Sequence, residues 1–165
     1  MDMLERREFL KDNIRKQTDF SRTGQSRGKK PPPVQKPPPA DAQKIKLPGS
    51  DEWDDFSGVN LLDAIANRAS CRQPTRKDLS LAELSFLLWA TQGVKSQQPP
   101  YHAFRVVPSA GCRHSFESYV AALQVEDLSP AIYRFLPLSH ELIKVKEHEQ
   151  LGERLTEAAL GQSFA

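Results

Sequence analysis

The sequence predicts an α+β fold, a mixed sheet flanked by helices, rather than a bundle or a sandwich. Three observations carry this expectation. Apolar periodicity runs in the order helix, helix, strands, helix. A capping box stands at Ser80-Leu81-Ala82-Glu83, ahead of an apolar run. Two β-rich runs, residues 131–135 and 142–146, are separated by turn residues and pair most simply as a hairpin.

The elements follow in chain order. Residues 5–16 can form a charged helical turn or two, with Leu4, Phe9, Leu10 and Ile14 as scattered apolar points. From Ser21 to Pro48 prolines dominate, with triplets at 31–33 and 37–39. Each proline removes an amide donor and fixes φ, so polyproline II or coil is expected there and no regular ladder. Such a segment is either a free arm or an ordered strap across the domain that follows. Folded structure is expected from near Asp54.

Asn60 can cap a helix over residues 61–67, whose Leu61, Leu62 and Ile65 share one face at spacings of three and four. The helix opened by Ser80 carries Leu81, Leu84, Phe86, Leu87, Leu88 and Trp89 and can end at Gly93. Being apolar around much of its circumference, it is expected to be largely buried. Residues 94–104 read as a loop around Pro99 and Pro100, and residues 116–125 as a buried strand. A last helix over residues 149–160 sets Leu151, Leu155, Ala158 and Ala159 on one face, with Gly161 as its stop.

Charge divides the chain. Residues 1–48 hold twelve Lys or Arg against six Asp or Glu, and residues 49–165 hold eleven against fifteen. The division separates a basic, proline-rich arm or linker, residues 1–50, from a domain over residues 54–165. No apolar run approaches the roughly 20 residues needed to span a bilayer, so a soluble, cytoplasmic protein is expected. With only Cys71 and Cys112, a disulfide framework is excluded, and the Cys112/His114 spacing makes a poor zinc site.

Two segments carry candidate chemistry. Asn67-Arg68-Ala69-Ser70-Cys71-Arg72 follows a short helix and offers two guanidinium groups and a hydroxyl to a phosphate. Arg105-Val106-Val107-Pro108-Ser109-Ala110-Gly111 is a small-residue turn that lets backbone approach a flat ring. Each also has a plain reading, as a helix-end cap or as a simple turn. His114 can reach a ligand or be an ordinary loop histidine. Cys71 is read as core-facing rather than redox-active, Trp89 and Tyr119 as core residues rather than stacking partners of a bound ring, and Arg113 and Arg134 as surface charge. No Ser, His and Asp constellation stands out.

Taken with the stretch from Leu79 to Gly93 and with Tyr133-Arg134-Phe135-Leu136-Pro137, these motifs occur in the order and spacing of one family. The chain resembles the nitroreductase family of flavin enzymes, and within it the subgroup of azoline-oxidising dehydrogenases. The resemblance implies a nitroreductase-like mixed sheet and an FMN-dependent oxidoreductase with the flavin at a homodimer interface. It implies that Arg68, Ala69, Ser70 and Arg72 hold the phosphate and ribityl chain. Pro108, Ser109, Ala110 and Gly111 would line the ring. Hydride would pass between NAD(P)H or a small-molecule substrate and the flavin N5, so no catalytic side chain or metal is expected.

Domains of this family continue past the point where this sequence stops. The expectation is therefore the N-terminal portion of such a domain, incomplete at its C-terminus and too short to be active alone. The alternative is a non-enzymatic protein that binds a partner through its basic arm. No two prolines of residues 31–39 flank other residues at PxxP spacing, and no aromatics interleave the arm's charges, so neither SH3-type nor specific nucleic-acid recognition is expected.

Overall fold

The computed structural model describes residues 2–9, 11–53, 58–71, 77–98 and 102–162. The chain forms two compact units, residues 1–32 and 33–165. The first holds helix α1 (Met3–Phe9) and two 3-10 turns, Asp12–Gln17 and Phe20–Arg22. The helical turns expected over residues 5–16 thus begin slightly earlier, at Met3, and Leu10 lies outside the described residues.

The second unit is built on a four-stranded antiparallel sheet in the order β1 (Lys44–Lys46), β6 (Glu141–Glu147), β5 (Ala131–Leu136), β4 (Tyr119–Ala122). The β5/β6 hairpin is the one read from the sequence, lengthened by a residue or two. Alternation assigns its faces. Val120, Ala122, Ala131, Tyr133, Phe135 and Leu142 lie on the core side with Leu47, and Leu84 and Leu88 of helix α3 (Leu81–Gln92) close that core. The Tyr133 hydroxyl is satisfied by donating to the Ser129 carbonyl at 2.8 Å.

Helix α3 starts as the capping box requires. Ser80 Oγ accepts from Glu83 N at 3.1 Å, and Glu83 Oε2 accepts from Ser80 N at 2.8 Å. Its burial is one-sided: Leu84, Ser85 and Leu88 face the core, whereas Leu87 is exposed, which corrects the expectation of a largely buried helix. Gly93 caps its end, and no side chain fits there. A Cβ there would lie 2.4 Å from Trp89 Cδ1 and 2.5 Å from the Trp89 carbonyl oxygen. Trp89 packs in an aromatic cluster with Trp53 and Phe86.

Helix α2 (Leu61–Asn67) is capped by Asn60, whose Oδ1 accepts from Leu62 N at 2.8 Å. Its apolar face of Leu61, Leu62 and Ile65 is exposed. Helix α4 (Leu151–Ala158) seats Leu151 in the interior and is followed by Gly161 at φ 85°.

Four further expectations are corrected. Residues 94–98 and 102–104 are strand, not loop: β2 (Val94–Gln98) and β3 (His102–Arg105) pair antiparallel as a separate ribbon, while Pro99 and Pro100 lie outside the described residues. Polar Lys95-Ser96-Gln97-Gln98 carries no apolar signal, and the strand exists through its ladder alone. The strand at 116–125 shrinks to β4, with Phe116 87% exposed and Val125 in a single bridge to Leu79. Tyr119 is exposed rather than core, because it pairs with Arg134 on the face opposite Val120. Arg134 is the reverse, 3% exposed rather than surface charge.

The proline-rich segment provides what covers Arg134. Polyproline backbone makes no internal hydrogen bonds, so its carbonyls are free to accept. Arg134 Nη2 donates to the Lys36 and Pro37 carbonyls at 3.3 and 3.2 Å, and Leu138 N donates to Gln35 Oε1 at 3.0 Å. Lys36 N donates to Glu117 Oε1 at 2.7 Å. Residues 34–39 are thus an ordered strap over the second face of the sheet. The expectation that no ladder forms before Pro48 also fails, since Lys44–Lys46 pair with Ile143, Leu142 and Glu141. Asp54 itself lies outside the described residues.

Phe135 is fully buried and Phe116 is not, so truncation should separate them. Phe135→Ala is expected to lower the unfolding free energy by about 3–5 kcal/mol. Phe116→Ala should stay within about 0.5 kcal/mol of the parent in urea denaturation.

Candidate functional site

The turn after β3 is the most unusual backbone in the second unit. Gly111 sits at φ 61°, and Cys112 and His114 follow at φ 53° and 44°. Left-handed geometry is ordinary for glycine but costs roughly 1–3 kcal/mol at a non-glycine residue held away from its preferred wells. Such strain persists only where surroundings fix it, and here Ser109 Oγ accepts from His114 N at 2.9 Å.

Beside this turn lies a cleft of about 350 Å³, lined by Gln92 and by residues 107–110 and 114–116. Its wall is mixed. Val107, Pro108, Ala110 and Phe116 are apolar, whereas Gln92, Ser109 and His114 bring polar groups. That composition suits a flat, largely apolar ring with a polar edge.

Arg105 supports the cleft from behind. It is 8% exposed, on the same face of β3 as fully buried Ala103. Its Nη1 donates to Gln92 Oε1 at 3.2 Å and its Nη2 to the Val34 carbonyl at 3.2 Å. Burial pulls the guanidinium below its usual range, and the Glu117 carboxylate opposes that. His114 is held below the usual imidazole range by burial and then by the Arg105 charge, against a hydrogen bond with Ala103 backbone.

Of the residues the sequence nominates, Pro108, Ser109 and Ala110 line the cleft and Gly111 stands just beyond it. Arg68, Ala69 and Ser70 occupy the exposed segment that follows α2 and are not part of this wall. Arg72 lies outside the described residues. Cys71 is exposed, not core-facing. Gln92 and Arg105 received no role from the sequence. Recognising β3 would have exposed Arg105, because period-two alternation sets it on the buried side with Ala103.

A sequence profile of the nitroreductase family matches residues 65–164, which span both nominated segments and the cleft. The chain belongs to the nitroreductase family. The sheet is antiparallel throughout its described strands rather than mixed, and its combination with helices agrees with the α+β fold of that family. A protein of Methanocaldococcus jannaschii assigned by name to the nitroreductases is 32% identical over 124 residues, 75% of this chain. The chain spans 57% of that relative's length. Among the described residues no helix is long and apolar enough to cross a membrane, and no group of three His, Cys, Asp or Glu is placed to hold a metal.

A serine and a histidine also meet away from the cleft. Ser85 Oγ lies 2.7 Å from His140 Nε2 and donates to the Pro48 carbonyl at 2.6 Å. With the hydroxyl proton on Pro48, Nε2 must carry a proton and donate, the reverse of what a general base needs. Ser85 is fully buried as well, so the pair is a structural tie between α3, the 137–140 turn and Pro48.

Burial also lowers the His140 pKa, with the Pro48 hydrogen bond opposing it. A histidine depressed in the fold takes up its proton more readily when unfolded, so stability is lost as pH falls below the unfolded value of about 6.5. Urea midpoints should therefore fall between about pH 7 and about pH 5, and His140→Gln should flatten the decline relative to the parent chain. An equal decline in both proteins would show that His140 does not carry it.

Proposed function

We propose that this chain is part of an FMN-dependent oxidoreductase whose flavin ring occupies the cleft beside the Pro108–Ala110 turn. The observation that carries this reading is the cleft itself, set at a strained small-residue turn within the family-matched region. The donor set fits the cofactor. A ring of low charge meets backbone and apolar side chains at 107–110, whereas the dianionic phosphate calls for guanidinium and hydroxyl groups of the kind carried by Arg68, Ser70 and Arg72.

Bound FMN would supply hydride transfer at N5, with NAD(P)H or a small-molecule substrate as the other party. The protein's share is to orient the ring, exclude water from one of its faces and neutralise the phosphate. We further infer a homodimeric enzyme of the azoline-oxidising type. That finer assignment is supported by the Arg68-x-Ser70-x-Arg72 element, the Leu79 to Gly93 helix sequence and the Arg105 to Gly111 turn.

Titrating FMN with the full chain tests the reading. Quenched flavin fluorescence and a shifted visible band are expected, and a spectrum identical to free FMN at saturating protein would reject it. Arg68→Ala should weaken FMN by about tenfold or more, the worth of one charge-assisted hydrogen bond, while leaving riboflavin binding unchanged. Loss of both ligands alike would place Arg68 away from the phosphate.

A further inference from the structure

Gln92, the last residue of α3, lines the cleft. Its Oε1 accepts from Arg105 Nη1 at 3.2 Å. A guanidinium has donors only, so the contact decides the amide's orientation: oxygen toward Arg105, NH2 away from it. Among the described residues no acceptor engages that NH2.

Both ends of this contact are fixed. Arg105 is buried and tied through Nη2 to the Val34 carbonyl at 3.2 Å, so the strap sets the guanidinium plane. The helix end is fixed by Gly93, which packs against Trp89 too closely for any side chain. The Gly93 carbonyl in turn accepts from Val106 N at 2.9 Å, which joins the helix end to the segment entering the cleft turn.

We propose that Gln92 is a specificity-determining residue of the cleft. Its Nε2 hydrogens read an acceptor atom, a carbonyl oxygen or an unprotonated ring nitrogen, on the edge of the bound ring, and Arg105 is the positioning residue that aims them. This rests on the cleft being the ring site. A ligand presenting an N–H donor at that point is disfavoured, because two donors would face each other in a partly desolvated place. The strap thereby contributes to ligand choice, since the Val34 carbonyl holds the group that orients Gln92.

Gln92→Glu is the direct test. The glutamate keeps the length and the acceptor for Arg105, and strengthens that contact by its charge, but it replaces the cleft-facing donor with an acceptor. Its thermal midpoint without ligand should match or exceed that of the parent chain. Affinity for riboflavin, measured by fluorescence quenching, should fall by about tenfold or more. FMN should fall at least as far, because the new charge adds repulsion from the phosphate.

Arg105→Lys should weaken riboflavin as well, since a single ammonium cannot hold both Gln92 and Val34 in the guanidinium's geometry. If parent and Gln92→Glu chains bind riboflavin equally, the inference falls and the ring site stands. A loss confined to FMN would also overturn it, since Gln92 would then act at the phosphate. If the parent chain quenches neither ligand, the reading of the cleft fails and takes this inference with it.

Discussion

Two guanidinium groups buried in one small domain need acceptors, and the strap supplies them. Arg105 and Arg134 are 8% and 3% exposed, and each directs Nη2 at strap carbonyls, Val34 for one and Lys36 with Pro37 for the other. A buried cation without partners costs several kcal/mol, so these contacts make an ordered strap a condition of the fold. Satisfaction is incomplete, because the Nε of each remains buried without an acceptor among the described residues. Each such atom forgoes about 1–3 kcal/mol, which the rest of the packing must offset.

The same constraint joins structure to site. Arg105 reaches the strap with one nitrogen and Gln92 with the other, and its own strand runs directly into the 107–111 turn. Strain at Cys112 and His114 is held on the far side of that turn by Ser109. The cleft is therefore bounded by groups that cannot move independently, and a rigid wall is what a flat ring needs for orientation.

Much of this was legible in the sequence, and the misses share a cause. Helices α2 and α3 and the β5/β6 hairpin announce themselves locally, through Asn60, the Ser80/Glu83 box and apolar alternation. The turn at 108–110 was legible too, as was the family from the order of its motifs. What stayed hidden depends on partners distant in sequence. Strand β2 is polar and exists by pairing, the register of β4 on β5 sets Tyr119 on the face opposite the Val120 core, and the strap is ordered by arginines about 70 and 100 residues away. Arg134 looks like surface charge because arginine usually is, and nothing local gives Arg105 a role. Only the tertiary arrangement reveals carbonyls waiting for them.

The central claim is that Arg105 ties strap, helix end and cleft turn into one unit. Hydrogen–deuterium exchange of Arg105→Met, a change that keeps most of the side chain's volume, addresses it directly. The account predicts faster exchange, by about tenfold or more, at amides of residues 35–36 and 112–114, with the β5 amides of Tyr133 and Phe135 as protected as before. Unchanged protection at the strap and the turn would contradict it, as would a uniform rise across the sheet.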